Sequence, residues 1–267
     1  MKLAMRRTGP ESNLPLVLLH ALPLSQSMWD EVRAELVDLD VITFDAPGFG
    51  QSPTVAELGI ADTIAAYADL VLSQLTENGI ERFVLGGLSM GGATASEIFR
   101  RAPHRVAGLA LMDTNIASDP IERQSAREIM AQKAESGMGY ECVQDWTRTM
   151  LAAGTSVEIR QALDQEFKEF TGASFAWAQR AMASRANNEL FLRELCGPLL
   201  LVRGVEDPGC SSEMLERWAE IYTSVNKAPA PRIVEIPGAG HFTANEQPKL
   251  LAQELRGFYY LALSTSV

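Results

Sequence analysis

Ser89 stands at the centre of the run Gly87, Leu88, Ser89, Met90, Gly91. The residues before it, Phe83 to Leu85, are apolar, and those after it follow helical spacing. Arg82 to Ala93 therefore reads as a strand, a sharp turn and a helix, with the serine hydroxyl at the apex. Gly-x-Ser-x-Gly is the spacing of a nucleophile elbow. Glycines two before and two after the serine let backbone segments approach where a Cβ would crowd the bend. Gly92 and Ala93 give the following helix a slim face toward the strands. Two phosphate-binding readings fail. A P-loop requires Lys and then Ser or Thr after its second glycine, but Gly91 is followed by Gly92 and Ala93. A dinucleotide fingerprint requires a third glycine that Gly48, Phe49, Gly50, Gln51, Ser52, Pro53 lacks.

A serine hydroxyl is a poor nucleophile near neutral pH and needs a base, usually histidine. The chain has 3 histidines, His20, His104 and His241. His104 follows Pro103 at the far end of the elbow helix, which makes it a surface residue. His20 ends an apolar run, where it is expected to orient the adjoining loop through a backbone hydrogen bond. His241 lies in Ile236, Pro237, Gly238, Ala239, Gly240, His241, Phe242, a glycine-rich loop directly after a strand, on the same sheet edge as Ser89. It is the expected base. The base needs an orienting acid. Asp207, just past the strand ending at Arg203, is on the correct side, while its neighbour Glu206 reads as a solvated carboxylate. Asp113, at the end of the strand after the elbow, stays a rival because it too can reach the His241 loop. Asp45 begins a turn and reads as a structural Asx residue.

The elements that must position these groups follow in order. Residues 2 to 7 read as an edge strand. Leu14 to Leu19, Val41 to Phe44 and Val106 to Met112 read as strands buried on both faces, alternating with a helix after His20, a helix from Asp62 to Asn78 and the elbow helix. This rhythm implies a mostly parallel sheet with helices on both faces. It stops from Ile116 to Gly197, where the pattern is helical, over Pro120 to Ser136, Tyr140 to Ala152, Ser156 to Phe170 and Ala173 to Arg185. It resumes with strands Pro198 to Arg203 and Arg232 to Ile236 and helices Ser211 to Tyr222 and Glu246 to Leu263. The expected organisation is an α/β core of residues 1–115 and 198–267 with a helical cap inserted at 116–197. Open α/β sheets bind ligands at the carboxyl ends of their strands, and a lid there excludes water.

Composition narrows the function classes. A chain of 267 residues fits one large α/β domain with an insertion. A net charge of -11 repels polyanions, so neither nucleic acid nor an anionic membrane surface is an expected partner. No apolar stretch is long enough for a membrane span. The 3 scattered cysteines, Cys142, Cys196 and Cys210, with no secretory pattern at the N-terminus, lead to an expectation of free thiols and a cytoplasmic setting. No zinc-ligand spacing occurs, so neither metal nor cofactor is expected.

The order Ser89, Asp207, His241, with the strand ending in His20 and the loop Asp45 to Ser52, resembles the α/β-hydrolase superfamily with a helical cap over nearly the whole chain. Leu88, Ser89, Met90, Gly91, Gly92 is similar to the elbow of β-ketoadipate enol-lactone hydrolases, small carboxylesterases and cofactor-free perhydrolases. The resemblance implies a serine hydrolase that cleaves a small carboxylic ester or lactone through an acyl-enzyme. It implies an oxyanion hole from the backbone N–H groups of Leu22 and Met90. It also implies a pocket walled by Ala21, Leu22, Met90, Trp146 and Phe242, with Met150, Phe175, Trp177 and Met182 as further candidates. Ala21 departs from the glycine common in the family, and its methyl group is expected to narrow the space near the oxyanion. No arginine or lysine stands out as a carboxylate clamp. C–C bond hydrolysis, perhydrolysis and a degenerate ligand-binding homologue remain alternatives. Epoxide hydrolases and dehalogenases of the superfamily carry aspartate where this chain has Ser89. Oligomeric state is left open.

Overall fold

The computed structural model describes residues 1–225 and 229–265. Seven strands form one sheet: β1 (Met5–Thr8), β2 (Leu16–Leu19), β3 (Val41–Phe44), β4 (Phe83–Leu88), β5 (Val106–Met112), β6 (Leu199–Gly204) and β7 (Arg232–Ile236). Their spatial order is β1-β3-β2-β4-β5-β6-β7. Only β1 runs antiparallel to its neighbour, pairing Met5 with Phe44. Strands β2 to β5 are buried along their whole length, as continuous apolar runs in a sheet covered on both faces require.

The main helices are α1 (Ile64–Glu77), α2 (Met90–Arg101), α3 (Ile121–Lys133), α4 (Val157–Glu166), α5 (Gly172–Ala183), α6 (Ser212–Thr223) and α7 (Pro248–Thr265). Helix α2 packs against β2, β4 and β5, and α1 lies beside it. Helix α7 packs on β5, where Gly108 leaves space for Phe258 and Ala262. The chain passes from β2 to β3 on one side and then returns to β4 on the other. That reversal opens a crevice between the carboxyl ends of β2 and β4, the place where open α/β sheets take ligands.

Between β5 and β6 the chain is helical. Helices α3 and α5 pack together, with Arg180 donating to Glu128 at 3.0 Å and to Glu135 at 2.6 Å. The expected helix from Tyr140 to Ala152 is broken: Tyr140–Cys142 is a 3-10 turn and only Trp146–Thr149 is α-helical. Past it, Met150 C=O accepts the His241 N–H at 2.7 Å, so the chain is drawn out of helix to meet the loop after β7. The last expected helix, from Glu246 to Leu263, is present as α7, which starts at Pro248, whose ring nitrogen has no hydrogen to donate; a separate short turn, Thr243–Glu246, precedes it. Among the described residues, no helix is long and apolar enough to cross a membrane.

Candidate active site

Ser89 occupies the turn between β4 and α2 with φ 55 and ψ -113. This region is sparsely populated for a side-chain-bearing residue and costs about 1–3 kcal/mol, so surrounding contacts must hold it. They do. Ser89 N–H donates to Met112 C=O at 2.9 Å, and its C=O accepts from Ala93 N–H at 3.0 Å and from Thr114 Oγ1 at 2.6 Å. The flanking glycines allow the bend: a Cβ on Gly87 would stand 2.1 Å from Gly91 O, and one on Gly91 would stand 2.1 Å from Leu19 O.

The loop after β7 brings His241 across the strand ends, with Nε2 2.8 Å from Ser89 Oγ. On its other side, Nδ1 lies 3.0 Å from Asp207 Oδ2, and the second oxygen of Asp207 accepts from Gly209 N–H at 2.7 Å. A carboxylate oxygen only accepts, so Nδ1 carries the ring hydrogen and Nε2 faces the serine as an acceptor. The three side chains form one hydrogen-bonded line although their residues are far apart in the chain.

The other candidates take no part in that line. Asp113 accepts from Gly204 N–H at 2.7 Å and from Thr243 Oγ1 at 2.6 Å, so both its oxygens are engaged away from the imidazole. Burial, reinforced by the Asp207 charge, pushes Asp113 well above the usual carboxylate range. His20 is buried, and Ala46 N–H donates to its Nε2 at 2.8 Å. Its Nδ1 therefore bears the hydrogen and donates to Ala21 C=O at 2.9 Å. Burial lowers the pKa of His20, in keeping with a neutral ring that fixes two loops. His104 is exposed on a 3-10 turn. Asp45 accepts from Gln26 N–H at 2.7 Å and Gln51 N–H at 2.9 Å, organising the loop around it. Glu206 is exposed and accepts from Ala153 N–H at 2.8 Å.

A cavity of about 240 Å³ opens over Ser89. Ligand pockets commonly measure about 300–1,000 Å³, so this one suits a small molecule. Leu22, Met90, Trp146, Met150 and Met182 border it together with His241. Two expected wall residues do not. Ala21 is fully buried, donates its N–H to Met28 Sδ at 3.1 Å and does not border the cavity. Phe242 is also buried, turned behind His241 with ring centroids 5.3 Å apart and tilted against Phe167. Two further candidates belong to the core: Phe175 stacks on Phe170, and Trp177 packs edge-on to Tyr67. A helix must bury one face, and aromatic residues there usually serve that purpose.

Sequence reasoning missed two groups. Arg123, Arg127, Arg185, Asn115 and Gln179 all border the cavity. Arg123 and Arg127 are spaced for one helix face, but nothing local joins them to Arg185. Glu246 was also missed. One of its oxygens accepts from Gly240 N–H at 2.9 Å and Phe242 N–H at 3.2 Å. The other accepts from Ala152 N–H at 2.8 Å and Thr155 Oγ1 at 2.6 Å, clasping the His241 loop to the helical segment. No cluster of three or more His, Cys, Asp or Glu side chains among the described residues is arranged to hold a metal ion.

The sequence pattern of the Alpha/beta hydrolase family matches residues 16–254. The chain is 27% identical over 259 residues to the dihydrolipoyllysine-residue acetyltransferase component of the acetoin cleaving system of Pseudomonas putida, with 94% of this chain covered. It spans 64% of that relative's length, and 48% of a biotin biosynthesis bifunctional protein of Cellvibrio japonicus that it also matches. A thermophilic esterase from Thermogutta terrifontis, solved with malate bound, superposes with a TM-score of 0.88 at 29% identity, covering 97% of this chain and 93% of that one. An enol-lactonase from Burkholderia xenovorans shares the fold, with a TM-score of 0.81 at 22% identity, covering 97% and 96%.

Proposed function

The chain belongs to the alpha/beta hydrolase family, and we propose that it is a serine hydrolase cleaving a small carboxylic ester or lactone through an acyl-enzyme on Ser89. The observation that carries this reading is the unbroken line from Asp207 Oδ2 through His241 to the Oγ of a serine held at φ 55. In the proposed reaction His241 Nε2 takes the Ser89 proton as Oγ attacks the carbonyl carbon. Asp207 holds the Nδ1–H tautomer and stabilises the imidazolium that forms. The oxyanion is received by the backbone N–H groups of Met90 and Leu22. Met90 is the first residue of α2, where an N–H has no intrahelical partner and the helix dipole favours negative charge. Leu22 borders the same cavity. His241 then passes its proton to the departing alkoxide oxygen. Water, deprotonated by the same imidazole, attacks the acyl carbon, and the proton returns to Ser89 Oγ as the acid leaves.

Residues 116–197 act in this reading as a cap that walls the cavity from solvent, joined to the core through Glu246 and the Met150–His241 bond. The test is intact mass after exposure to a small fluorophosphonate. Wild type is expected to gain one label, and Ser89→Ala and His241→Ala none. A folded wild-type protein that stays unlabelled by even the smallest probe would remove the acyl-enzyme.

A further inference from the structure

One wall of the cavity has no part in the chemistry at Ser89. Arg123 and Arg127, one turn apart on α3, and Arg185, just past the end of α5, all border it. One carboxylate serves all three. Asp119 Oδ2 accepts from Arg127 Nε at 2.6 Å, Oδ1 accepts from Arg185 Nη2 at 2.6 Å, and Arg123 Nε lies 3.8 Å from Oδ1. Arg127 also donates to Gln179 Oε1 at 3.0 Å and Arg185 to Ala117 C=O at 2.7 Å. After these bonds Arg185 Nη1 is buried with no hydrogen-bond partner, on a side chain only 3% exposed.

Such an arrangement asks for an acceptor. A buried guanidinium donor without one is costly, and three like charges sharing one counter-ion repel each other. Burial, with the charges of Arg127 and Arg123, pulls the Arg185 guanidinium down to about 10. The other acid at the cavity, Asp113, gives no relief, because Gly204 and Thr243 occupy its oxygens. The chain as a whole carries a net charge of -11, so a cationic wall beside the serine runs against its general composition.

We propose that Arg123, Arg127 and Arg185 form an anion-binding subsite, and that the substrate is a small ester or lactone carrying a carboxylate, gripped by this wall while its scissile carbonyl stands at Ser89. The inference rests on the reading of Ser89 as the nucleophile. The planar donor fork of arginine matches the two oxygens of a carboxylate. Arg123, 58% exposed and the loosest of the three on Asp119, can turn toward a ligand without breaking a short bond. The cavity of about 240 Å³ limits the molecule to a short chain between its two ends.

The experiment compares monomethyl glutarate with dimethyl glutarate, its uncharged analogue of similar shape, near neutral pH. Hydrolysis is followed with wild type, and binding by calorimetry with Ser89→Ala. The kcat/KM ratio of monoester to diester is expected to be about tenfold or more, the size of a charge-assisted hydrogen bond. It should fall toward one in Arg185→Gln and in Arg123→Gln, recover in part in Arg185→Lys, and hold in Arg148→Gln, whose exposed side chain pairs with Asp145. A ratio is unaffected by loss of folded protein, since both esters report on the same active molecules. Hydrolysis of both esters at equal rates, without tighter binding of the monoester, would overturn the subsite and leave the hydrolase intact. Preferential binding of the monoester with no Ser89-dependent turnover of either would support the subsite and overturn the hydrolase reading. Methyl 4-phosphonobutyrate distinguishes the anion: a preference for it over the monoester would overturn the carboxylate assignment.

Discussion

On the sheet side of the cavity, Ser89, His241 and Asp207 stand on short loops whose backbones are pinned. Ser89 N–H donates to Met112 C=O at 2.9 Å, Asp207 N–H to Gly204 C=O at 3.1 Å, and His241 N–H to Met150 C=O at 2.7 Å. On the helical side, Arg123, Arg127 and Arg185 are long side chains gathered around Asp119, and one buried donor has no partner. The floor is fixed by backbone geometry, and its three side chains are paired with one another. The wall is held by side chains and carries surplus charge. Groups that must meet reacting atoms gain from rigid placement, whereas groups that recognise a ligand gain from donors kept in reserve. Under the two proposals, the chemistry falls to the floor and the selectivity to the wall.

The sharpest break of that division is at the floor. Ser89→Ala and His241→Ala are each expected to lower the turnover of an activated ester by about 10⁴-fold or more. Asp207→Asn is expected to cost about 10³–10⁴-fold, because the imidazole would lose its tautomer, whereas Asp113→Asn should cost less than about tenfold, since neither oxygen of Asp113 reaches the ring. Steady-state rates of the two asparagine variants side by side decide which aspartate serves the histidine. The reverse ranking would mean that the floor is wired through Asp113.

A smaller effect sharpens the boundary between floor and wall. Glu246→Gln puts an amide N–H2 among four donors that now point at a carboxylate, from Gly240, Phe242, Ala152 and Thr155. The expected loss is about 1–3 kcal/mol, a fall of several degrees in Tm by thermal denaturation. An unchanged Tm would mean that the two sides are joined by other contacts. The smallest effect is in pH dependence. Asp113 has its pKa raised by burial, so on raising the pH the unfolded chain loses this proton before the folded one does. Folded protein then binds more protons than unfolded, and the Asp113 contribution to stability declines as pH rises from the unfolded pKa toward the folded one. The Tm of Asp113→Asn relative to wild type is therefore expected to climb across that window, and a flat difference would contradict the raised pKa.

Local sequence determined the elbow, because Gly87 and Gly91 are required by contacts within a few residues or with the adjacent strand. It also determined the strands from Leu16 to Met112, whose continuous apolar runs have few alternatives in a sheet covered on both sides. That His241 and Asp207 come to the same sheet edge as Ser89 was legible because each follows a strand, and strand ends share an edge once the sheet is parallel. Only the tertiary structure set the two acids apart in geometry, since both follow strands: the His241 ring lies 3.0 Å from Asp207, while Gly204 and Thr243 occupy the oxygens of Asp113. Only tertiary packing left Phe242 and Ala21 buried and outside the cavity lining, and it broke the helix after Tyr140 to meet the His241 loop. The arginine wall was beyond sequence reasoning for the same reason: Arg123 and Arg127 on one helix meet Arg185 past another, and helix periodicity assigns each residue a face but not what that face opposes.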